Sequence, residues 1–212
     1  MRHHIRRMVA PEKRPTEAWH TAGLFERGFG QVIVARFKGS GEAEVGVFLV
    51  DTFCLGVKDA YFTRLWPDEY QKRLLNHLEE HGGREPIEPA CARKLVEEAV
   101  AYARRLGLEP HPDFKFGARV FGGIEAKSCS RTFEFGKDGK PLYVQGPNDS
   151  EAFAQHVMGT LTRRLGQDGF HYMRFLGEAP GGVKATADKA FEPGPPDAQA
   201  GTERSASRPP DA

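Results

Sequence analysis

One apolar run, residues 45–62 (VGVFLVDTFCLGVKDAYF), constrains the fold more than any other part of the chain. Its first half, up to Val50, is apolar at almost every position, with β-branched and aromatic side chains and little alternation. Such a run is typical of a strand that is buried on both faces. The preceding residues 31–37 predict a second strand, and the glycine-rich residues 39–41 predict a hairpin turn between the two. A third strand is expected from Phe53 onward.

Asp51 ends this apolar run, and a buried carboxylate must be paired or hydrogen-bonded. One interpretation is a catalytic or metal-binding aspartate. The other, which the residue type favours, is an aspartate that closes a turn through the backbone. Lys58 is expected to reach a carboxylate such as Asp51, and Gly56 permits a bulge or a close backbone approach. A restriction-type nuclease has an acidic residue where this chain has Gly56, so that motif does not match.

Three helices are predicted by apolar side chains at three- and four-residue spacing, over residues 68–82, 89–107 and 149–166. A shorter helix is expected after Thr16, with Trp19 as an apolar anchor. Strands and helices together predict an α+β fold, in which a mainly antiparallel sheet is covered by three to four helices.

The chain is expected to form a single α+β domain over residues 16–176. Residues 1–15 are basic and interrupted by prolines, which predicts a mobile arm. Residues 177–212 hold few large apolar side chains among Gly, Pro, Ala, Ser and charged residues. Such a segment buries too little apolar surface to fold, so we expect a disordered C-terminal tail.

Composition excludes several classes of protein. The net charge of +1 provides no electrostatic argument for nucleic acid or a membrane as partner. The chain has no apolar stretch of about 18 residues, so no transmembrane helix is expected. The three cysteines (Cys54, Cys91 and Cys129) are far apart and form no C-x-x-C pair, which favours a reduced, cytoplasmic protein. Cys91 is interpreted as a small apolar residue on the buried face of the predicted helix over residues 89–107.

Few residues are spaced for catalysis or metal binding. His77 and His81 lie four residues apart on a predicted helix, but no further ligand accompanies them, so neither a metal nor a cofactor is expected. His111 stands between two prolines, which hold its backbone extended, and Asp113 follows it. These two residues are either an acid/base pair or ordinary loop residues. A Cys–His hydrolase built on Cys54 or Cys129 has no local motif to support it.

A second distinctive block, residues 133–150 (FEFGKDGKPLYVQGPNDS), predicts a strand over residues 133–135, a turn at Asp138-Gly139 and a return strand over residues 142–144. Together with FLVDTFCLGVKDAYF it resembles the two signature blocks of a family of uncharacterised bacterial proteins, F-L-x-D-x-x-C-L-G-V-K and F-G-x-D-G-K-P-x-Y-x-x-G-P-x-D. The likeness covers about residues 18–173. No activity is attached to that family, so the resemblance implies no catalytic residue.

These observations predict a cytoplasmic binding or regulatory module that contacts nucleic acid or another protein. The alternative is a small hydrolase or nuclease that uses Asp51, Lys58 and His111, with Asp149 nearby. If the alternative holds, these groups share a cleft and show perturbed ionisation. If the binding interpretation holds, they are scattered and a basic or aromatic surface exists instead. A third interpretation, a toxin- or antitoxin-like protein, predicts a large exposed apolar patch.

Overall fold

The computed structural model describes residues 16–174, and its centre is a five-stranded antiparallel sheet. The strands are β1 (Glu17–Thr21), β2 (Phe29–Phe37), β3 (Ala43–Asp51), β4 (Gly56–Leu65) and β5 (Arg84–Pro86). Their order in the sheet is β4-β3-β2-β1-β5. β3 carries the apolar run and pairs with β2 on one side and with β4 on the other. This position explains why its side chains are apolar on both faces.

Helices cover both faces of this sheet. They are α1 (Leu24–Arg27), α2 (Pro67–Tyr70), a π-helical turn (Gln71–Leu75) that leads into α3 (Asn76–Glu80), α4 (Pro89–Arg105), α5 (Phe114–Gly117) and α6 (Glu151–Leu165). Leu95, Val96 and Ala99 of α4 pack on Phe48 and Val50 of β3. The segment from α2 to α3 packs on the opposite face, where Tyr70, Leu74 and Leu78 join Ile33, Val45 and Val47. The predicted α+β class with a mainly antiparallel sheet is confirmed.

A smaller layer adjoins one end of the sheet. It consists of α6 and two strands, β6 (Leu142–Gln145) and β7 (His171–Arg174), which pair in parallel. Tyr143, Val157 and Leu161 of this layer pack against Cys54 and the C-terminal end of α4. The predicted turn at Asp138-Gly139 is confirmed by an isolated bridge between Lys137 and Lys140, and the predicted return strand is confirmed as β6. The predicted strand over residues 133–135 was wrong, and the return strand pairs with β7 instead.

Two local predictions near the sheet were also wrong. Residues 17–21 form β1 rather than a helix, because they pair with both β2 and β5. The third strand begins at Gly56 rather than Phe53, because a turn occupies the residues after Asp51. The predicted hairpin of β2 and β3 is confirmed over its whole length.

The cysteines differ from expectation as well. Cys91, at the start of α4, forms a disulfide with Cys129, and both residues are buried. The prediction of three reduced cysteines, with Cys91 as a simple apolar residue, was wrong because the fold places two distant cysteines side by side. Cys54 remains a free, buried thiol.

The predicted basic arm (residues 1–15), the whole of the predicted tail (177–212) and the predicted C-terminal domain boundary at residue 176 lie outside the described residues. Within residues 16–174, no helix is both long and apolar enough to cross a membrane.

Candidate functional site

The two distinctive sequence blocks meet at one end of the sheet. The backbone N–H of Gly136 donates to the carbonyl of Thr52 at 2.9 Å, and that of Leu142 donates to the carbonyl of Phe53 at 3.1 Å. The Lys58 ammonium joins the same two blocks through an ion pair with Asp149. Residues more than 80 positions apart in sequence thus form one structural unit, which no local pattern predicts.

Asp51 holds the turn between β3 and β4. Its Oδ1 accepts hydrogen bonds from the backbone N–H groups of Phe53 and Cys54, each at 2.9 Å. These are the bonds that the turn interpretation requires. Only 7% of the residue is exposed. Burial raises the pKa of Asp51 to about 6, while the N–H of Cys54 and the charge of Lys58 oppose this rise.

Lys58 is the extra residue of a β-bulge. Leu49 pairs with Asp59 and Val50 with Val57, so Lys58 has no partner on β3. Its Nζ lies 3.1 and 3.3 Å from the two carboxylate oxygens of Asp149. The structure therefore pairs Lys58 with Asp149 rather than with Asp51.

Gly56 is the first residue of β4, two residues before this bulge. Its φ is +70°, and a Cβ there would lie 2.6 Å from the carbonyl oxygen of Ala99 on α4. A side chain at this position would push α4 off the sheet, so the close backbone approach predicted for Gly56 is confirmed, whereas the bulge lies at Lys58.

Asp149 belongs to a group of polar side chains that we name the block junction (Asp51, Lys58, Tyr143 and Asp149). Its Oδ2 accepts hydrogen bonds from the Tyr143 hydroxyl at 3.2 Å and from the Gly146 N–H at 3.0 Å. The side chains of Lys58 and Asp149 are only 18% and 10% exposed. Burial and the nearby Asp149 charge raise the pKa of Tyr143, so this residue remains a neutral phenol that donates. Asp149 is thus saturated by protein donors.

His111 lies in a different environment, beside the edge of β4 that does not pair with β3. Its backbone N–H donates to the carbonyl of Val57 at 2.9 Å. Its Nδ1 accepts from the N–H of Asp113 at 3.3 Å and lies 3.7 Å from Oδ1 of Asp59. The three residues proposed for catalysis thus have separate partners: Asp51 binds its own turn, Lys58 binds Asp149, and His111 lies beside Asp59 and Asp113.

Neither cysteine proposed for a hydrolase is placed to act as a nucleophile. Cys129 is in the disulfide. Burial and the charge of Asp51 raise the pKa of the Cys54 thiol, which disfavours the thiolate. Among residues 16–174, no group of three or more His, Cys, Asp and Glu side chains is arranged to hold a metal ion.

A surface that the sequence did not predict surrounds the block junction. We name it the aromatic–cation surface; its rings are Phe25, Phe29, Phe53, Tyr102, Phe133 and Phe135, and its cations are Arg105, Arg131 and Lys137. Phe29 is 40% exposed, and most of the other rings are half-buried. Phe53 covers Gly28, next to Phe29, since a Cβ on Gly28 would overlap the Phe53 ring.

Each cation of this surface lies beside a ring. Arg131 is 5.5 Å from the ring centre of Phe25, Lys137 is 5.7 Å from that of Phe53, and Arg105 is 5.7 Å from that of Tyr102. These distances are within the range of cation–π attraction. The surface draws on α1, on the start of β2, on the Asp51 turn, on α4 and on the extended segment after Cys129, so sequence reasoning had no local signal for it.

These three cations also lack a carboxylate partner within the described part of the chain. Many cations elsewhere on the protein are paired, as in Arg93–Glu97 at 2.7 Å and Lys38–Glu44 at 2.9 Å. The aromatic–cation surface thus offers three cations without a carboxylate partner, and the exposed acidic residues Glu134 and Asp138 lie in the same chain segment as Lys137.

Comparisons with protein-family models, with curated proteins and with solved structures found no match to this chain. The resemblance to a bacterial family through the two blocks stays a prediction.

Proposed function

We propose that this protein is a binding module whose ligand contacts the aromatic–cation surface. The observation that carries the proposal is the exposed ring of Phe29 and a set of half-buried rings beside cations that have no carboxylate partner in residues 16–174. Unpaired cations and exposed rings cost little in water, but they offer charge and stacking area to a partner. A basic or aromatic surface is also what the binding interpretation of the sequence required.

The alternative, a hydrolase or nuclease using Asp51, Lys58 and His111, receives less support. The three side chains have separate partners, and the carboxylate paired with Lys58 is saturated. This alternative stays a prediction, and a metal-dependent nuclease and phosphatase screen tests it. Activity that is lost in both folded Asp51→Ala and Lys58→Ala variants would favour it.

The cytoplasmic location also stays a prediction. Disulfides persist mainly in oxidising compartments, so the bond between Cys91 and Cys129 counts against it. The binding proposal does not depend on the compartment.

The proposal is tested with the purified chain and a panel of defined probes: a single-stranded oligonucleotide, a duplex of the same length, heparin and polyglutamate. Hydrogen exchange should show protection around Phe29, Phe53 and Lys137 with at least one probe. Phe29→Leu should abolish this protection, whereas Trp66→Leu should keep it. Trp66 is a matched control because it is 54% exposed and follows the other end of β4. A panel in which no probe protects this surface would refute the proposal.

A further inference from the structure

The aromatic–cation surface combines two chemistries at short range. The exposed face of Phe29 provides a flat apolar area, and half-buried rings continue this area past Phe53 towards Tyr102. Cations stand within 6 Å of these rings, as in Lys137 at 5.7 Å from the centre of Phe53. A ligand that matches both features must present flat aromatic groups and negative charges in alternation.

We propose that this ligand is single-stranded nucleic acid, whose bases stack on the rings while its phosphates contact Arg105, Arg131 and Lys137. The inference rests on the proposed function and names its ligand class. Proteins that bind single strands without strict sequence preference combine stacking rings with a positive groove in this way.

The form of the surface favours a single strand over a duplex. Its rings belong to α1, to the start of β2, to the Asp51 turn, to the side of α4 and to the extended segment after Cys129, rather than to one projecting element that could enter a groove. Base faces are available for stacking only where the bases are unpaired.

The number of available cations limits the affinity and predicts its salt dependence. Three cations without carboxylate partners are expected to neutralise about three phosphates, which for single strands corresponds to a slope of about −2 in log K against log salt. A duplex-binding protein with many phosphate contacts would show a much steeper slope.

Glu134 provides a test of the charge on this surface. Glu134 is exposed and lies in sequence between Phe133 and Phe135, both of which belong to the surface. Its removal should strengthen the binding of a polyanion. This effect provides a gain-of-function test that misfolding cannot imitate.

The experiment measures fluorescence anisotropy of labelled oligouridylate and oligothymidylate of about 15 nucleotides, a length that covers one typical binding site. Titrations are made at about 50 mM and about 200 mM salt, with an unlabelled duplex as competitor. We expect Phe29→Leu to weaken binding about tenfold through lost stacking. Lys137→Ala should weaken it several-fold and reduce the salt slope by about 0.7, and Glu134→Gln should tighten it.

Two matched controls accompany these variants. Lys72→Ala removes an exposed lysine from the helical segment on the opposite face of the sheet, and Trp66→Leu removes an exposed aromatic residue beyond the far end of β4. Both should bind the single strand as the wild type does. Thermal unfolding verifies that every variant is folded.

Three outcomes would overturn the inference: no binding of either strand, equal competition by the duplex, or equal losses in Lys137→Ala and Lys72→Ala. If polyglutamate alone protects the surface in the hydrogen-exchange panel, the binding proposal stands and the ligand is an acidic protein instead. If no probe protects the surface, both proposals fail.

Discussion

The block junction and the aromatic–cation surface lie side by side, but their charged groups have opposite surroundings. In the junction, Asp149 accepts hydrogen bonds from Lys58, Tyr143 and Gly146, and Asp51 accepts two from its own turn. On the surface, Arg131 and Lys137 have rings beside them and no carboxylate among residues 16–174.

The difference separates residues that build the fold from residues that are available to a partner. Polar side chains within an apolar run attract attention in a sequence, yet here they are buried and satisfied because the fold requires them. The cations that remain available come from segments with ordinary composition. We expect changes in the junction and its supports to alter stability, and changes on the surface to alter binding alone.

The disulfide should show the largest effect on stability, because it closes a loop over a sequence separation of 38 residues. Chain entropy predicts that the Cys91→Ala/Cys129→Ala double variant loses about 4 kcal/mol of unfolding free energy. Urea unfolding with and without dithiothreitol measures this loss. The reductant should lower the unfolding free energy of the wild type and leave that of the double variant unchanged. If it leaves the wild type unchanged as well, the presence of the disulfide is contradicted.

Lys58→Ala should cause the second-largest loss of unfolding free energy, because it leaves the buried Asp149 carboxylate without its counter-ion. The side chains are not fully buried, and two other donors remain, so we expect a loss of about 2–3 kcal/mol. Lys38→Ala is the matched control: its partner Glu44 lies at 2.9 Å, but Lys38 is 44% exposed. That ion pair should contribute about 0–1 kcal/mol. Equal losses in the two variants, measured by urea unfolding, would show that the junction is not a structural anchor.

Asp51 should make stability depend on pH. Burial raises the pKa of Asp51 from 3.8 to about 6, so between these values the native state binds more protons than the unfolded state. The stability from this residue is therefore largest below about pH 4 and is lost as the pH rises to about 6 and beyond, by about 2–3 kcal/mol.

Asp51→Asn can accept the same two backbone hydrogen bonds without carrying a charge. The unfolding free energy of this variant should not decrease as the pH rises from about 4 to about 6. At pH 7 it should at least equal that of the wild type. Urea unfolding of both proteins across pH 4 to 7 makes the comparison. A parallel pH dependence in the two proteins would assign the effect to other groups.

The smallest effect is expected on the aromatic–cation surface. Arg131→Ala and Lys137→Ala remove exposed cations that have no carboxylate partner in the described part of the chain, so each should change stability by about 0.5 kcal/mol or less. The same urea titrations measure these changes. A loss comparable to that of Lys58→Ala would place these cations in the structural group and remove the contrast between the two regions.

Several elements could be predicted from the sequence because their signals are local. The unbroken apolar run predicted a strand inside a sheet, and the periodicity of residues 89–107 predicted the helix observed as Pro89–Arg105. The turn role of Asp51 was among the predicted interpretations, because an aspartate reaches backbone N–H groups only two and three residues away. Short-range geometry is encoded in neighbouring residues.

Other features depend on residues that are far apart in sequence. β1 is a strand because Trp19 pairs with Ile33 and with Pro86, and its own sequence resembles a helix start. The pairing of Cys91 with Cys129 and of Lys58 with Asp149 required two chain segments to meet. No spacing rule links such partners.

The sequence by itself thus determined the α+β class, the central hairpin and the main helices, since propensity and periodicity act over a few residues. Only the tertiary structure decided which polar side chains are satisfied and which are available. That distinction depends on burial and on partners, and both arise when distant segments pack together. The conspicuous Asp51 and Lys58 therefore belong to the fold, and the site we propose lies on the rings and cations around them.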